Sequence, residues 1–230
     1  MARYSPQSWP VKDMFDRISP RYDAANTILS FGMHYIWKRR AVSVIPPEYS
    51  GGKAMDLCTG TGDLIAFLKL KFGEVYGVDF SPKMLSLCRE RYKSIEGLNL
   101  VEADAMDLPF PDGFFDCITV AFGVRNFPDL GRGLSEMKRV LKEGGFLSVL
   151  EFGQPRGIIS PLYRFYCRRI MPLVGRIVTG YREPYEYLPV TAESFPCGEK
   201  FCKILQEKGF KMIEFRSLFR GIAYIYTCIC

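Results

Sequence analysis

From residue 54 onward the chain alternates short apolar runs with segments of helical length. The runs Ala54–Cys58, Val75–Asp79, Leu98–Ala103, Phe115–Ala121 and Phe146–Glu151 each have the length of a buried strand. Helices are predicted over Leu64–Phe72, from the Ser81-Pro82 cap to about Lys93, and over Gly133–Leu141, the last ended by Gly144-Gly145. A turn at Pro109–Gly113 joins the third and fourth runs. This rhythm predicts an α/β fold, a doubly wound and mostly parallel sheet with helices on both faces. After a helix at Glu199–Lys208, the runs Lys211–Phe219 and Ile222–Ile229 bring the strands to seven. The short Arg220-Gly221 link between them predicts an antiparallel hairpin at the sheet edge.

The flanking segments read differently. Val11–Ile18 has apolar residues at 11, 14, 15 and 18, one helix face, and Ala24–Arg40 continues as helical material. Met1–Pro10 reads as a tail, and Pro46-Pro47 with Gly51-Gly52 marks a boundary. Residues 1–50 are therefore expected to form a helical cap before a core domain over 51–230. Residues 155–198 interrupt the rhythm and are expected to lie over the open end of the sheet. Within them Pro161–Met171 is amphipathic, with Leu162, Phe165, Tyr166 and Ile170 on one side and Arg164 and Arg168 on the other.

Composition narrows the partners. The net charge of +6 fits an anionic one, a nucleic acid or an anionic membrane surface. Eight cysteines occur without a CxxC pair, and there is a single histidine, so no metal site is expected. Cys58, Cys117 and Cys228 lie in apolar runs and read as small buried hydrophobes. Unpatterned thiols in this number point to a reducing cytoplasm. Neither an apolar signal region near the N-terminus nor an apolar stretch of about 18 residues is present.

The first run ends in Asp56-Leu-Cys-Thr-Gly60-Thr61-Gly62-Asp63. Two glycines there allow a tight strand-to-helix turn and a close backbone approach to a ligand. A dinucleotide fingerprint needs a third glycine three residues on, where Ile65 stands instead. Asp79 ends the second run, where a carboxylate can take both hydroxyls of a ribose. Asp104-Ala105 follows the third, placed for an adenine edge. An adenosine-bearing cofactor fits better than a dinucleotide.

This constellation resembles the class I S-adenosylmethionine-dependent methyltransferases, with Cys58 where most members have glycine. Phe15-Asp-Arg-Ile-Ser-Pro-Arg-Tyr-Asp23, Leu29-Ser-Phe-Gly32, His34-Tyr-Ile-Trp-Lys38, Phe122-Gly-Val-Arg-Asn126 and Tyr185-Glu-Tyr-Leu188 narrow the resemblance. They are similar to the signatures of the ubiquinone/menaquinone biosynthesis C-methyltransferases. The resemblance implies S-adenosylmethionine as cofactor, no metal, and methylation of a ring carbon on a demethyl polyprenyl quinol. It implies cofactor contacts at Thr61, Asp79, Asp104, Ala105 and Ala121, beside the turn residues Asp56, Gly60 and Gly62.

Arg125 and Asn126 follow the fourth strand, over the expected methyl position; Arg125 could stabilise a phenolate, or anchor the loop through an acid. His34 is a candidate base on its unperturbed pKa, with a structural role as the alternative. Tyr185 and Tyr187 are candidate walls of the quinol pocket, or core aromatics. Tyr22, Asp23 and Asn26 read as closing the cap over the cofactor, or as a helix junction. Phe122–Phe127 lacks the (N/D)PP(Y/F) run of amino-directed nucleic-acid methyltransferases, so no nucleic acid is expected. The arginines at 164, 168, 169 and 176 suit a membrane-surface helix or a solvated basic face. The expected location is cytoplasmic, with peripheral attachment at the inner face of the membrane and a homodimer both left open. Methylation of another lipid or small phenol, and a non-catalytic cofactor-binding module, are the competing readings.

Overall fold

The computed structural model describes residues 10–155 and 157–230. Three helices lead the chain: α1 (Val11–Ile18), α2 (Tyr22–Ser30) and α3 (Met33–Ser43). The alternating region follows as β1 (Lys53–Leu57), α4 (Ile65–Lys69), β2 (Glu74–Asp79), α5 (Pro82–Arg91), β3 (Leu98–Glu102), β4 (Phe115–Ala121), α6 (Leu130–Val140) and β5 (Leu141–Phe152). After the insertion come α7 (Ile159–Phe165), α8 (Met171–Thr179), α9 (Glu183–Ser194), α10 (Glu199–Glu207), β6 (Lys211–Leu218) and β7 (Ala223–Ile229). The strands form one seven-stranded sheet in the order β3-β2-β1-β4-β5-β7-β6. The first five run parallel, and the C-terminal pair is the expected antiparallel hairpin. Its second strand turns inward, pairing β5 from Phe146↔Ile229 to Phe152↔Ala223. Apolar β7 is buried there, while β6, carrying Lys211, Glu214 and Arg216, takes the edge, where charge discourages further pairing.

Helices cover both faces. On one, Leu134 and Met137 of α6 and Phe201 and Leu205 of α10 pack on Ile118, Leu147, Val149 and Tyr226. On the other, Ile65 and Leu68 of α4 and Val42 at the end of α3 cover Ala54, Val75 and Cys117. Trp37 and Ala41 of α3 extend that cover over Leu150, Ala223 and Ile225. The third helix of the cap is thus built into the core, while α1 and α2 lie nearer the ligand end.

Local chemistry moves several expected boundaries. Helix α6 starts at Leu130 because Asp129 caps it, its carboxylate accepting from the Arg132 N–H at 2.9 Å. It ends by running straight into β5 when Leu141 turns extended, so Gly144-Gly145 lies inside the strand instead of ending the helix. The β4–β5 register shifts at this place, between Phe115 and Cys117. Helix α4 is five residues long: Leu64 is its N-cap and Leu70 its C-cap, and the Lys71 and Phe72 N–H groups both close on the Leu68 carbonyl at 2.9 Å.

The insertion departs most. Residues 159–179 make one helical rod, α7 and α8 joined through a π-turn at Tyr166–Ile170. Its buried residues are Cys167, Met171, Pro172, Gly175 and Thr179. Of the apolar side of the amphipathic stretch, Leu162 and Phe165 are exposed. Gly175 decides this packing: a Cβ there would stand 2.0 Å from the Tyr185 ring on α9, so no other residue lets α8 and α9 approach so closely. Among the described residues, no helix is long and apolar enough to cross a membrane.

Candidate active site

The strand order reverses between β1 and β4, and the ligand crevice of such sheets opens at the carboxyl ends there. A cavity of about 230 Å³ lies at this point. Gly60, Asp79, Asp104, Ala105, Ala121 and Asn126 all line it, so the structure brings these expected residues together. Gly60 takes a left-handed φ of 56°, which aims its N–H at Asp79 Oδ2 at 2.8 Å. Asp79 Oδ1 accepts from the Ser81 N–H at 2.9 Å. Each oxygen keeps a second lone pair on the cavity wall, which suits a ribose diol. Burial pushes the Asp79 pKa up to about 6, against the pull of the Ser81 and Gly60 N–H groups. Asp104 is exposed and holds its loop through the Met106 N–H at 2.9 Å, with Ala105 buried beside it.

Three residues expected at the cofactor are absent from this wall. Asp56 is fully buried beneath the turn, accepting from Thr59 Oγ1 at 2.7 Å and Thr119 Oγ1 at 3.1 Å, and burial raises its pKa to about 7. It supports the turn from below. Thr61 spends its hydroxyl on Asp23 Oδ1 at 2.6 Å. Gly62 packs against α5, where a Cβ would meet Cys88 Sγ at 2.6 Å. Cys58 is not the buried hydrophobe expected: it lines the cavity with a left-handed φ of 60°. A side chain there fits because Gly123 faces it, where a Cβ would lie 2.7 Å from Cys58 Sγ.

The cap closes on the turn through an ionic chain that joins residues far apart in sequence. Lys38 Nζ donates to Asp63 Oδ2 at 2.7 Å, and Arg91 Nη1 donates to Asp63 Oδ1 at 2.9 Å. Arg91 also binds Asp23, which in turn holds Thr61. Burial raises the pKa of Asp63, but Lys38 and then Arg91 override it and hold it below the ordinary carboxylate value. Further along, α1 ties to the ligand end through Asp16 with Ser81 Oγ and Lys12 with Glu102 at 3.1 Å. Lys38 and Arg91 went unseen in sequence because their partner, Asp63, reads as a simple helix-opening acid.

A second, larger cavity of about 700 Å³ adjoins the first, and Phe15, Tyr22 and Phe122 line both. Its wall is mainly apolar and brings together His34, Arg125, Tyr185 and Tyr187. Tyr187 donates to Asn126 Oδ1 at 3.2 Å, a hydrogen bond that links the larger cavity to the smaller. Arg125 is buried against fully buried Glu151 at 2.9 Å, so its charge is already balanced and it anchors the loop that carries Asn126. His34 Nδ1 pairs with Ser30 Oγ at 2.6 Å, while Nε2 is buried without a hydrogen-bond partner, 4.0 Å from Asp63. Burial, then Lys38, pulls the His34 pKa from 6.5 to about 4, so the ring is neutral near pH 7. This corrects the expectation of a base poised by an unperturbed pKa.

The chain is 43% identical over 219 residues to a demethylmenaquinone methyltransferase of Thermus thermophilus, covering 93% of this chain and 98% of that one. It is 40% identical over 236 residues to the ubiquinone/menaquinone biosynthesis C-methyltransferase UbiE of Bdellovibrio bacteriovorus, covering 98% of each. Among solved structures, a Thermotoga maritima S-adenosylmethionine-dependent methyltransferase superposes with a TM-score of 0.69 at 21% identity, over 95% of this chain and 98% of that one. The [4+2]-cyclase SpnF reaches the same TM-score at 17% identity, over 98% and 96%, so the fold alone does not select a reaction. The model of the ubiE/COQ5 methyltransferase family matches residues 3–230, and on that match and these relatives the chain belongs to that family.

Proposed function

We propose that the protein transfers the methyl group of S-adenosylmethionine to a ring carbon of a demethyl polyprenyl hydroquinone of the menaquinone or ubiquinone type. The observation that carries this reading is the large apolar cavity set against the cofactor cavity behind a shared wall of Phe15, Tyr22 and Phe122. Its size suits a substituted aromatic ring with part of an isoprenoid chain. The relatives named above act, by their names, in menaquinone or ubiquinone synthesis.

When bound, S-adenosylmethionine supplies an electrophilic methyl group on a sulfonium. The ring carbon forms the new carbon–carbon bond, the sulfur–methyl bond breaks, and the displaced ring hydrogen leaves as a proton. The protein's part is orientation and exclusion of water. Asp79, Asp104 and Ala105 hold the adenosine end, while the aromatic partition faces the two reactants toward each other. Asn126, fixed by Tyr187 and by the loop that Arg125 anchors, stands where a ring oxygen arrives. His34 is a neutral wall of the quinol cavity, its Nδ1 held by Ser30 and its Nε2 buried toward Asp63, so it carries no titration near neutral pH. The kcat/KM profile is therefore expected to lack a limb near the ordinary histidine pKa of 6.5. A limb there in wild type that disappears in His34→Gln would reverse this assignment.

Methyl transfer from labelled cofactor to a panel of acceptors tests the function. Turnover is expected with demethylmenaquinol or a demethyl ubiquinol precursor, with the label on a ring carbon. Cofactor binding with no transfer to any quinol would favour a binding module, and transfer only to small phenols would move the substrate class.

A further inference from the structure

Several apolar side chains that line the large cavity are also exposed at its mouth. Phe31, between α2 and α3, is 85% exposed; Leu162 of α7 is 71% exposed; Phe219, between β6 and β7, is 65% exposed. Phe165 of α7 belongs to the same ring. Phe31 and Phe219 hold left-handed φ values of 51° and 46°, a conformation that residues with a Cβ rarely adopt. Strain of this kind persists where the surrounding structure enforces it, often for function. Here it puts two aromatic rings at the rim. Ile158, Leu173 and Ile177 extend the exposed apolar surface along the rod of α7 and α8, outside the cavity.

Charge follows the same outline. Residues 24–47, 157–182 and 215–230, which carry these exposed apolar residues, contain ten Lys and Arg, of which Lys38 and Arg182 pair with Asp63 and Glu186, and Asp or Glu appears only at their borders. The whole chain is only +6, so the remainder is net acidic. Arg164, Arg169, Arg176 and Arg220 are exposed, while Arg168 pairs with Glu193 at 3.0 Å.

We infer that the rim of the large cavity is a docking face for an anionic lipid bilayer, from which a lipid-dissolved substrate tail enters the cavity directly. Exposed apolar side chains interleaved with the exposed Arg164, Arg169, Arg176 and Arg220 match a surface that sinks into the headgroup region while its cations meet lipid phosphates. A protein seated here would close the mouth of the cavity, whereas a bilayer would leave it open to a lipid-dissolved ligand. The role given to the tail rests on the quinol reading; the docking does not.

Flotation of the full chain with phosphatidylcholine vesicles, with and without phosphatidylglycerol, tests this. Binding is expected to phosphatidylglycerol-containing vesicles and to fall with salt, with little binding to phosphatidylcholine alone. Leu173→Ser with Ile177→Ser, and separately Arg169→Glu with Arg176→Glu, lie outside the cavity wall. Each pair is expected to weaken vesicle binding by about tenfold or more and to leave turnover of a tail-less hydroquinone unchanged. Absence of wild-type binding would overturn the inference, as would binding indifferent to both pairs of substitutions. A solution dimer that these substitutions split, without vesicle binding, would assign the face to a second copy. Vesicle binding without turnover of any quinol would leave the docking standing and remove the quinol reading alone.

Discussion

Replacing Glu151 with alanine is expected to cost about 3–5 kcal/mol of folding stability, the range for breaking a buried ion pair from one side. Glu151 is fully buried at the end of β5. Its Oε1 accepts from Arg125 Nη1 at 2.9 Å and from the Phe152 N–H at 2.8 Å, and its Oε2 from the Arg125 N–H at 3.2 Å. The substitution strands a guanidinium that is 6% exposed and orphans two backbone donors. Urea unfolding near neutral pH gives the loss directly. Arg125→Ala is expected to be comparably destabilising, because it strands the carboxylate. The double replacement Arg125→Met with Glu151→Leu is expected to recover much of either loss, since desolvation of both charges disappears with the pair. Single losses under about 1 kcal/mol would show that the pair is hydrated and that the loop has another anchor.

Asp79→Ala is expected to weaken binding of S-adenosylhomocysteine by about 1.5–3 kcal/mol, roughly 10- to 150-fold, because the ribose loses a charged acceptor. The Gly60 and Ser81 N–H groups lose theirs too, so Asp79→Asn is the companion variant that keeps the shape. The wild-type pH dependence is the sharper test. Ribose hydroxyls donate to the ionised carboxyl, so the bound state has a pKa below the value of about 6 in the uncomplexed protein. Affinity is therefore expected to be flat above pH 6 and to fall below it, and the fall should vanish in Asp79→Asn. Calorimetry at constant ionic strength reads both. The same shift has a stability consequence of opposite sense. A carboxyl whose folded pKa is raised contributes stability that is complete at low pH and is lost as pH rises through the folded value. Asp79 therefore gives it up between the ordinary carboxylate value of 3.8 and about pH 6, and Asp56 between 3.8 and about pH 7, in the uncomplexed protein.

Much of the architecture is legible in the residues themselves. Strand-length apolar runs, capped helices and a glycine turn are local, and local signals read out the seven strands and the crevice at their carboxyl ends. Asp79, Asp104 and Ala105 follow, because a residue just past a parallel strand must sit at that end. Sequence is silent where a distant partner decides. Asp56 and Thr61 share the turn with Gly60, yet one is claimed by Thr59 and Thr119 beneath it and the other by Asp23 from the cap. The apolar stripe Leu162–Phe165 fits a packing face or a membrane surface in sequence; Gly175 admits the Tyr185 ring on the other side of the rod and leaves the stripe outside.

By itself the sequence determined the doubly wound sheet, the adenosine-type crevice and the resemblance that points to a methyl donor, because each rests on periodicity or on motifs within a few residues. Only the tertiary structure decided that Arg125 is neutralised by Glu151, that His34 is held uncharged beside Lys38, and that a large apolar cavity opens beside exposed aromatic and arginine side chains. Those properties depend on burial and on charges brought together from distant parts of the chain, and neither has a local signature.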